Sequence, residues 1–90
     1  MNIVWDEPKR VASLEKHGLD FADVDEFGWS DAVIASSYAR RFKAIGLFRT
    51  RIVVVIYSLL GSEAISIVGM RRAGVRERRL YEKQEQHQEE

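Results

Sequence analysis

The sequence predicts an α+β domain: an antiparallel sheet of four to five strands with two N-terminal helices and one C-terminal helix. Three observations carry this expectation. The first third of the chain places apolar residues at helical spacing between residues that start and stop helices. From Trp29 the pattern changes to short apolar runs parted by turn residues, and after Arg72 a charged segment with helical spacing closes the chain. The links between the apolar runs are too short for helical crossovers, so successive strands should pair as an antiparallel meander with the helices on one side.

Asn2 to Trp5 reads as a short edge strand. Asp6 can cap a helix that carries Glu7 and Pro8 in its first turn, where a missing amide hydrogen costs nothing. That helix should reach about His17, bury a narrow stripe of Val11 and Leu14 beside Ala12, and stop at Gly18 in the left-handed conformation. Lys16 and His17 fall in its last turn, where positive charge meets the negative end of the helix dipole. A second helix is expected in LDFADVDEFG, capped by Asp20 and stopped by Gly28, with Phe21, Val24 and Phe27 on its core face.

DAVIASS and RRFKAIGLF read as strands, and Arg49 and Thr50 form the turn into RIVVVIYSLL. The unbroken β-branched run in the last of these marks a strand covered on both faces, hence central. Gly61 and Ser62 turn the chain into EAISIVGM, where Ile65 and Ile67 should face one way and Ser66 and Val68 the other. A helix from Val75 to about Lys83 completes the domain, which spans residues 1–83. The tail from 84 to 90 lacks apolar residues, is expected to be disordered, and holds His87, to which no role is assigned.

With 90 residues and 46% hydrophobic content, one small core is the expected limit. The absence of Cys removes disulfides and thiolate metal sites. The opening MNIVWDEPKR has acidic residues where a secretory leader needs an apolar run, and Ile52 to Tyr57 is too short to span a bilayer. A cytoplasmic protein without membrane contact is the expectation.

The net charge of zero conceals a segregation. Through Ser37 there are three Lys or Arg against eight Asp or Glu; from Tyr38 to Lys83 there are eleven against three. Five arginines, Arg71, Arg72, Arg76, Arg78 and Arg79, fall within nine residues. Like charges that dense repel unless a polyanion or an acidic partner neutralises them, although solvation of one face produces the same pattern. Arg72, Arg76, Arg79 and Lys83 recur at spacings of four, three and four, which suggests a cationic stripe, and Glu77 and Tyr81 stand one turn apart opposite it. Arg40, Arg41, Arg49 and Arg51 can join the basic surface from the neighbouring strands.

Such a surface suits RNA phosphates. RNA carries its own nucleophile in the 2′-hydroxyl, so cleavage needs orientation, proton transfer and stabilisation of charge on phosphorus. Guanidinium groups match phosphate oxygens in geometry. The proton-transfer candidates are His17, Lys16, Glu77 and Tyr81, among which sequence does not choose. No His or carboxylate pair has metal-ligand spacing, and no phosphate-cradling glycine loop or nucleophile elbow is present, so neither a metal nor a cofactor is expected. No helix-turn-helix pattern supports a stand-alone DNA-binding domain.

Four segments together resemble the BrnT toxins. VWDEPKRVASLEKHGLDFADV resembles the family's N-terminal signature at Trp5, Asp6, Lys9, Lys16, His17, Gly18 and Phe21. RRFKAIG resembles its Arg-x-x-x-Ile-Gly strand at Arg41, Ile45 and Gly46, and RIVVVIYS its hydrophobic central strand. MRRAGVRERRLYE resembles the C-terminal motif at Arg71, Ala73, Glu77, Arg78 and Tyr81. The resemblance implies a RelE-like fold and a ribonuclease that arrests translation and is neutralised by a BrnA-like antitoxin, with a homodimer or a heterotetramer with the antitoxin as possible assemblies. Together with the residue chemistry, it implies catalytic roles among His17, Lys16, Arg41, Arg71, Arg72, Glu77 and Tyr81, and RNA binding by Arg51, Arg76 and Arg79. The chain departs from the family pattern at Ser13, Ser66, Gly69, Met70 and Gly74. Loss of a Thr at Gly74 should remove a capping box with Glu77. The alternative reading is a catalytically degenerate module of the same fold that pairs with an antitoxin without cutting RNA.

Overall fold

A computed structural model describes residues 2–88. Its elements are β1 (Asn2–Trp5), α1 (Glu7–His17), two short 3-10 segments (Phe21–Glu26 and Trp29–Asp31), β2 (Val33–Ser36), β3 (Arg41–Phe48), β4 (Arg51–Leu60), β5 (Ala64–Arg72) and α2 (Val75–Gln88). One five-stranded sheet runs in the order β1-β5-β4-β3-β2. The central position of β4 follows from its sequence: Val53, Val54 and Val55 are all 0% exposed, which requires cover on both faces. From β2 to β5 the strands form the expected antiparallel meander.

The sheet is nevertheless mixed. β1 lies parallel to β5, with Asn2 opposite Ala64 and Trp5 opposite Ile67. Parallel pairing is open to β1 because the whole intervening chain separates it from β5, so no tight turn fixes its direction.

The helices also fail to segregate to one side. Phe21 and Val24 of the first 3-10 segment, and Phe27 directly after it, pack with Val53, Val55, Tyr57, Ile65, Ile67 and Met70 on one face. On the other, Tyr81 of α2 packs on Ile45 and Val54. A second face needs cover because the central strand is apolar on both. The expected second helix forms as a 3-10 segment, and its three-residue turn is the period at which Phe21, Val24 and Phe27 recur. Its cap is as expected: the Asp20 carboxylate accepts from the Ala22 amide at 2.9 Å.

Helix α1 ends at Gly18 with φ of 72°, as its sequence predicts. The expected stripe does not form, because no residue of α1 is buried and Val11 is 43% exposed. The helix docks beside β5 beyond the end of β1, and the Ser13 hydroxyl donates to the Met70 carbonyl at 3.2 Å and accepts from the Met70 amide at 3.4 Å. A polar residue thus satisfies strand-edge groups that β1 is too short to reach.

Helix α2 continues past Lys83 to Gln88, so residues 84–88 of the expected tail are helical, while residues 89 and 90 lie outside the described residues. Glu and Gln are good helix formers, and the Gln84 side-chain amide donates to the Asp31 carbonyl at 3.0 Å. No helix among the described residues is long and apolar enough to cross a membrane.

Candidate active site

Residues of β3, β4 and β5 that share the α2 face set the site. Arg41, Lys43 and Ile45 alternate onto that face; Lys43 pairs with Ile56, Ile56 with Gly69, and Val54 with Arg71. A register shift at Ile56/Tyr57 makes Val68 an extra residue in β5. Strict alternation would send Gly69 and Arg71 to the side of Ile65 and Ile67. The bulge reverses the phase, which is why Ile67 and Met70, three residues apart, are buried in the same core. Arg71 is thereby aimed at the opposite face.

Between this face and α1 lies a cleft of about 330 Å³. Ile56, Val68 and Gly69 contribute to its lining; Lys9, Lys16 and His17 reach it from α1, and Arg41 and Arg71 from the sheet. A Cβ at Gly69 would meet only the Ile56 Cδ1 atom, at 3.8 Å, so the space over it is open.

Glu77 holds the cationic wall in place. Its carboxylate accepts from Arg71 Nη1 at 2.7 Å and Nη2 at 2.9 Å, from Lys43 Nζ at 2.8 Å and from the Gly74 amide at 2.8 Å. The Arg71 fork first, then Lys43 and the Gly74 amide, hold this carboxyl far below the usual carboxylate range against the opposing effect of burial. In turn Glu77 raises the Arg71 guanidinium above its ordinary value. The Gly74 bond is one half of a capping box, retained without a hydroxyl at the cap.

The predicted residues therefore separate. Lys16, His17, Arg41 and Arg71 meet in the cleft, and Glu77 lies next to it with both oxygens engaged. Tyr81, one turn further along α2, is 5% exposed against Ile45 and Val54, and burial raises its phenol above the ordinary value. Arg72 belongs to β5 rather than to the last helix, so the stripe on α2 is Arg76, Arg79 and Lys83. Arg72 and Arg51 line a different groove, and Arg76 and Arg79 are exposed on α2 and line neither. Arg49 is withdrawn from the basic surface by Glu26, at 2.9 Å, and Asp23, at 3.6 Å.

Sequence reading missed Lys43, which strand alternation from Arg41 would have revealed, and gave Lys9 no role. Among the described residues no group of three His, Asp or Glu side chains is placed to hold a metal.

A family model described as "Ribonuclease toxin, BrnT, of type II toxin-antitoxin system" matches residues 5–77. The 1.1 Å crystal structure of the Brucella abortus ribonuclease toxin BrnT is similar to this chain, with 44% identity and a TM-score of 0.73, covering 82% of this chain and 97% of that one. No curated protein matches. The matched span includes the cleft residues of α1, β3 and β5 and the clamp at Glu77, and on this evidence the chain belongs to the BrnT family of ribonuclease toxins of type II toxin–antitoxin systems.

Proposed function

We propose that the cleft is the catalytic centre of a metal-independent endoribonuclease that halts translation in the cytoplasm by cutting RNA. The observation that carries this reading is the convergence of Lys9, Lys16, His17, Arg41 and Arg71 on one open cleft beside which the Glu77 carboxylate is consumed in fixing Arg71 and Lys43. That donor set matches a phosphodiester, an anion with several oxygens to be held at once.

In the proposed reaction the RNA 2′-oxygen attacks the adjacent phosphorus. The 2′-O–P bond forms, the P–O5′ bond breaks, one proton leaves the 2′-hydroxyl and one is delivered to the 5′-oxygen. The products are a 2′,3′-cyclic phosphate and a 5′-hydroxyl. Arg41 and Arg71 hold the non-bridging oxygens as negative charge accumulates there. His17 and Lys16 at the end of α1 are the proton carriers. Glu77 is a positioning residue, because both its oxygens are occupied by cations and its charge is locked. Tyr81 supports α2 from the core.

The neutralising partner is a BrnA-like antitoxin. The test is purified protein incubated with RNA, with chelator, and with and without the antitoxin. Cyclic-phosphate ends in the presence of chelator, suppressed by antitoxin and lost in Arg71→Ala, support the reading. Intact RNA beside a tight antitoxin complex refutes catalysis and leaves a binding module.

A further inference from the structure

A second basic groove of about 350 Å³ lies where the end of β5 and the start of β4 meet α2. Arg51, Arg72 and Arg78 line it with Thr50 and Glu82. Nothing assigned to the catalytic cleft reaches it. Arg71 and Arg72 are consecutive, yet Arg71 lines the cleft and Arg72 the groove. The two sites therefore adjoin at the junction between β5 and α2. Among the described residues ion pairs hold Arg10, Arg49 and Arg71, whereas none holds Arg51, Arg72 or Arg78. Three guanidinium groups against the single Glu82 carboxylate leave the groove cationic. Unpaired like charges held this close repel, and an anion between them removes that repulsion.

We infer that this groove binds the phosphodiester backbone of single-stranded RNA beyond the scissile linkage, so that the enzyme cleaves a longer strand at a lower KM than the two nucleotides at the cut alone. The inference rests on the ribonuclease reading for the identity of its ligand. Guanidinium forks at Arg51, Arg72 and Arg78 hold phosphates without reading bases, so they add affinity but no sequence preference. Glu82 opposes the anion and limits how tightly a strand is retained.

The test compares a dinucleotide with a twelve-nucleotide RNA containing the same cut site, using Arg78→Glu and Glu82→Gln. Both side chains are exposed, so the fold is expected to survive, and circular dichroism checks this. Arg78→Glu should raise KM for the longer RNA about tenfold and leave cleavage of the dinucleotide unchanged. It should also flatten the salt dependence of binding by about 0.7 in log–log slope for each phosphate the variant no longer neutralises. Glu82→Gln should lower the same KM, a direction that damage to the fold does not produce. Equal effects of Arg78→Glu on both substrates, or none on either, would overturn the inference. So would an effect confined to antitoxin binding, since the groove would then be a protein-binding surface. If the wild-type protein cuts neither RNA, the ribonuclease reading fails by itself. Binding of an uncleavable 2′-deoxy dodecamer then decides the groove: tighter binding than the deoxy dinucleotide, with the advantage abolished in Arg78→Glu, sustains it, and equal binding ends it.

Discussion

Replacing Glu77 by Ala tests the clamp directly. Glu77 is 8% exposed, and its carboxylate accepts four hydrogen bonds, two from Arg71, one from Lys43 and one from the Gly74 amide. Ion pairs in open solvent contribute about 0–1 kcal/mol, whereas breaking a buried pair costs about 3–5 kcal/mol because the remaining charge is stranded. Here the remaining cations are only partly buried: the Arg71 and Lys43 side chains are 34% and 27% exposed, so both relax toward water once the anion is gone. The expected loss is therefore about 2–3 kcal/mol, including the lost half of the capping box. In a domain of this size that is a drop in Tm of about 10–20 °C.

The assay is thermal and urea unfolding of Glu77→Ala, Arg71→Ala and the double variant at neutral pH. Because the two residues share two hydrogen bonds, their effects should overlap, and the double variant should lose clearly less than the sum of the singles. A loss below about 0.5 kcal/mol for Glu77→Ala, or strict additivity, would show that the clamp is not what holds Arg71. Catalysis supplies an independent arm. If Glu77 acts only through Arg71, then Arg71→Ala/Glu77→Gln cleaves no more slowly than Arg71→Ala and keeps the same pH–rate profile. A further loss, or a displaced acidic limb, would make Glu77 a proton carrier after all.

The same carboxylate predicts a pH dependence of stability. Its folded-state value is depressed below the ordinary 4.5, so its contribution is present in full above that value and is lost as pH falls. Unfolding free energy of the wild type should decline below about pH 5, and Glu77→Gln should flatten that decline by up to about 1.4 kcal/mol per pH unit. Arg41→Ala and Arg71→Ala should each lower kcat for RNA cleavage about a hundredfold or more, as loss of a donor to the developing charge does; single-turnover cleavage reads this, and a change below about threefold would remove the residue from the centre. Gly46→Ala places a Cβ 2.9 Å from the Phe27 ring and 3.3 Å from the Ala32 Cβ. Phe27 is buried, so overpacking should cost about 1–3 kcal/mol in urea unfolding. Gly74→Ser completes the capping box and should raise stability by a few tenths of a kcal/mol, since a Cβ there meets nothing nearer than the Glu77 Oε1 atom at 3.5 Å.

Local rules made much of the fold legible. Gly18, the Asp20 cap, the paired runs from Val33 to Arg72 and the burial of Phe21, Val24 and Phe27 follow from residues a few positions apart, where a cap, a turn or a period decides the conformation. The parallel placement of β1 was not legible, because it depends on what β5 leaves unpaired about sixty residues later. Nor was the α1 docking, where Ser13 answers the backbone of Met70 and the apolar Val11 remains outside. An apolar stripe predicts burial only when the partner is an apolar surface; here the partner is a strand edge, and a hydroxyl serves it better.

The candidate site was readable as a set of residue types but not as a geometry, and the β-bulge at Ile56/Tyr57 is the physical reason. Read by strict alternation, Arg71 falls on the side of Ile65 and Ile67, and Arg72 on the other. One extra residue in β5 exchanges their faces, so that Arg71 meets Glu77 and the cleft while Arg72 lines the groove with Arg51 and Arg78. The sequence does hold a trace of this, since Ile65, Ile67 and Met70 break the two-residue period at Gly69, and an apolar series that shifts phase within a strand marks a bulge. The departure at Gly69 and Met70 from the family pattern has a structural use on the same grounds: Met70 continues the core across the phase change, and Gly69 leaves the cleft open beside Arg71. A Cβ at Gly69 meets nothing nearer than the Ile56 Cδ1 atom at 3.8 Å, and a longer side chain extending from it would compete with a phosphate for the cleft, so Gly69→Leu should preserve folding while blocking cleavage. Urea unfolding beside single-turnover cleavage checks both halves, and a Gly69→Leu protein that cuts RNA at the wild-type rate would place the reaction somewhere other than this cleft.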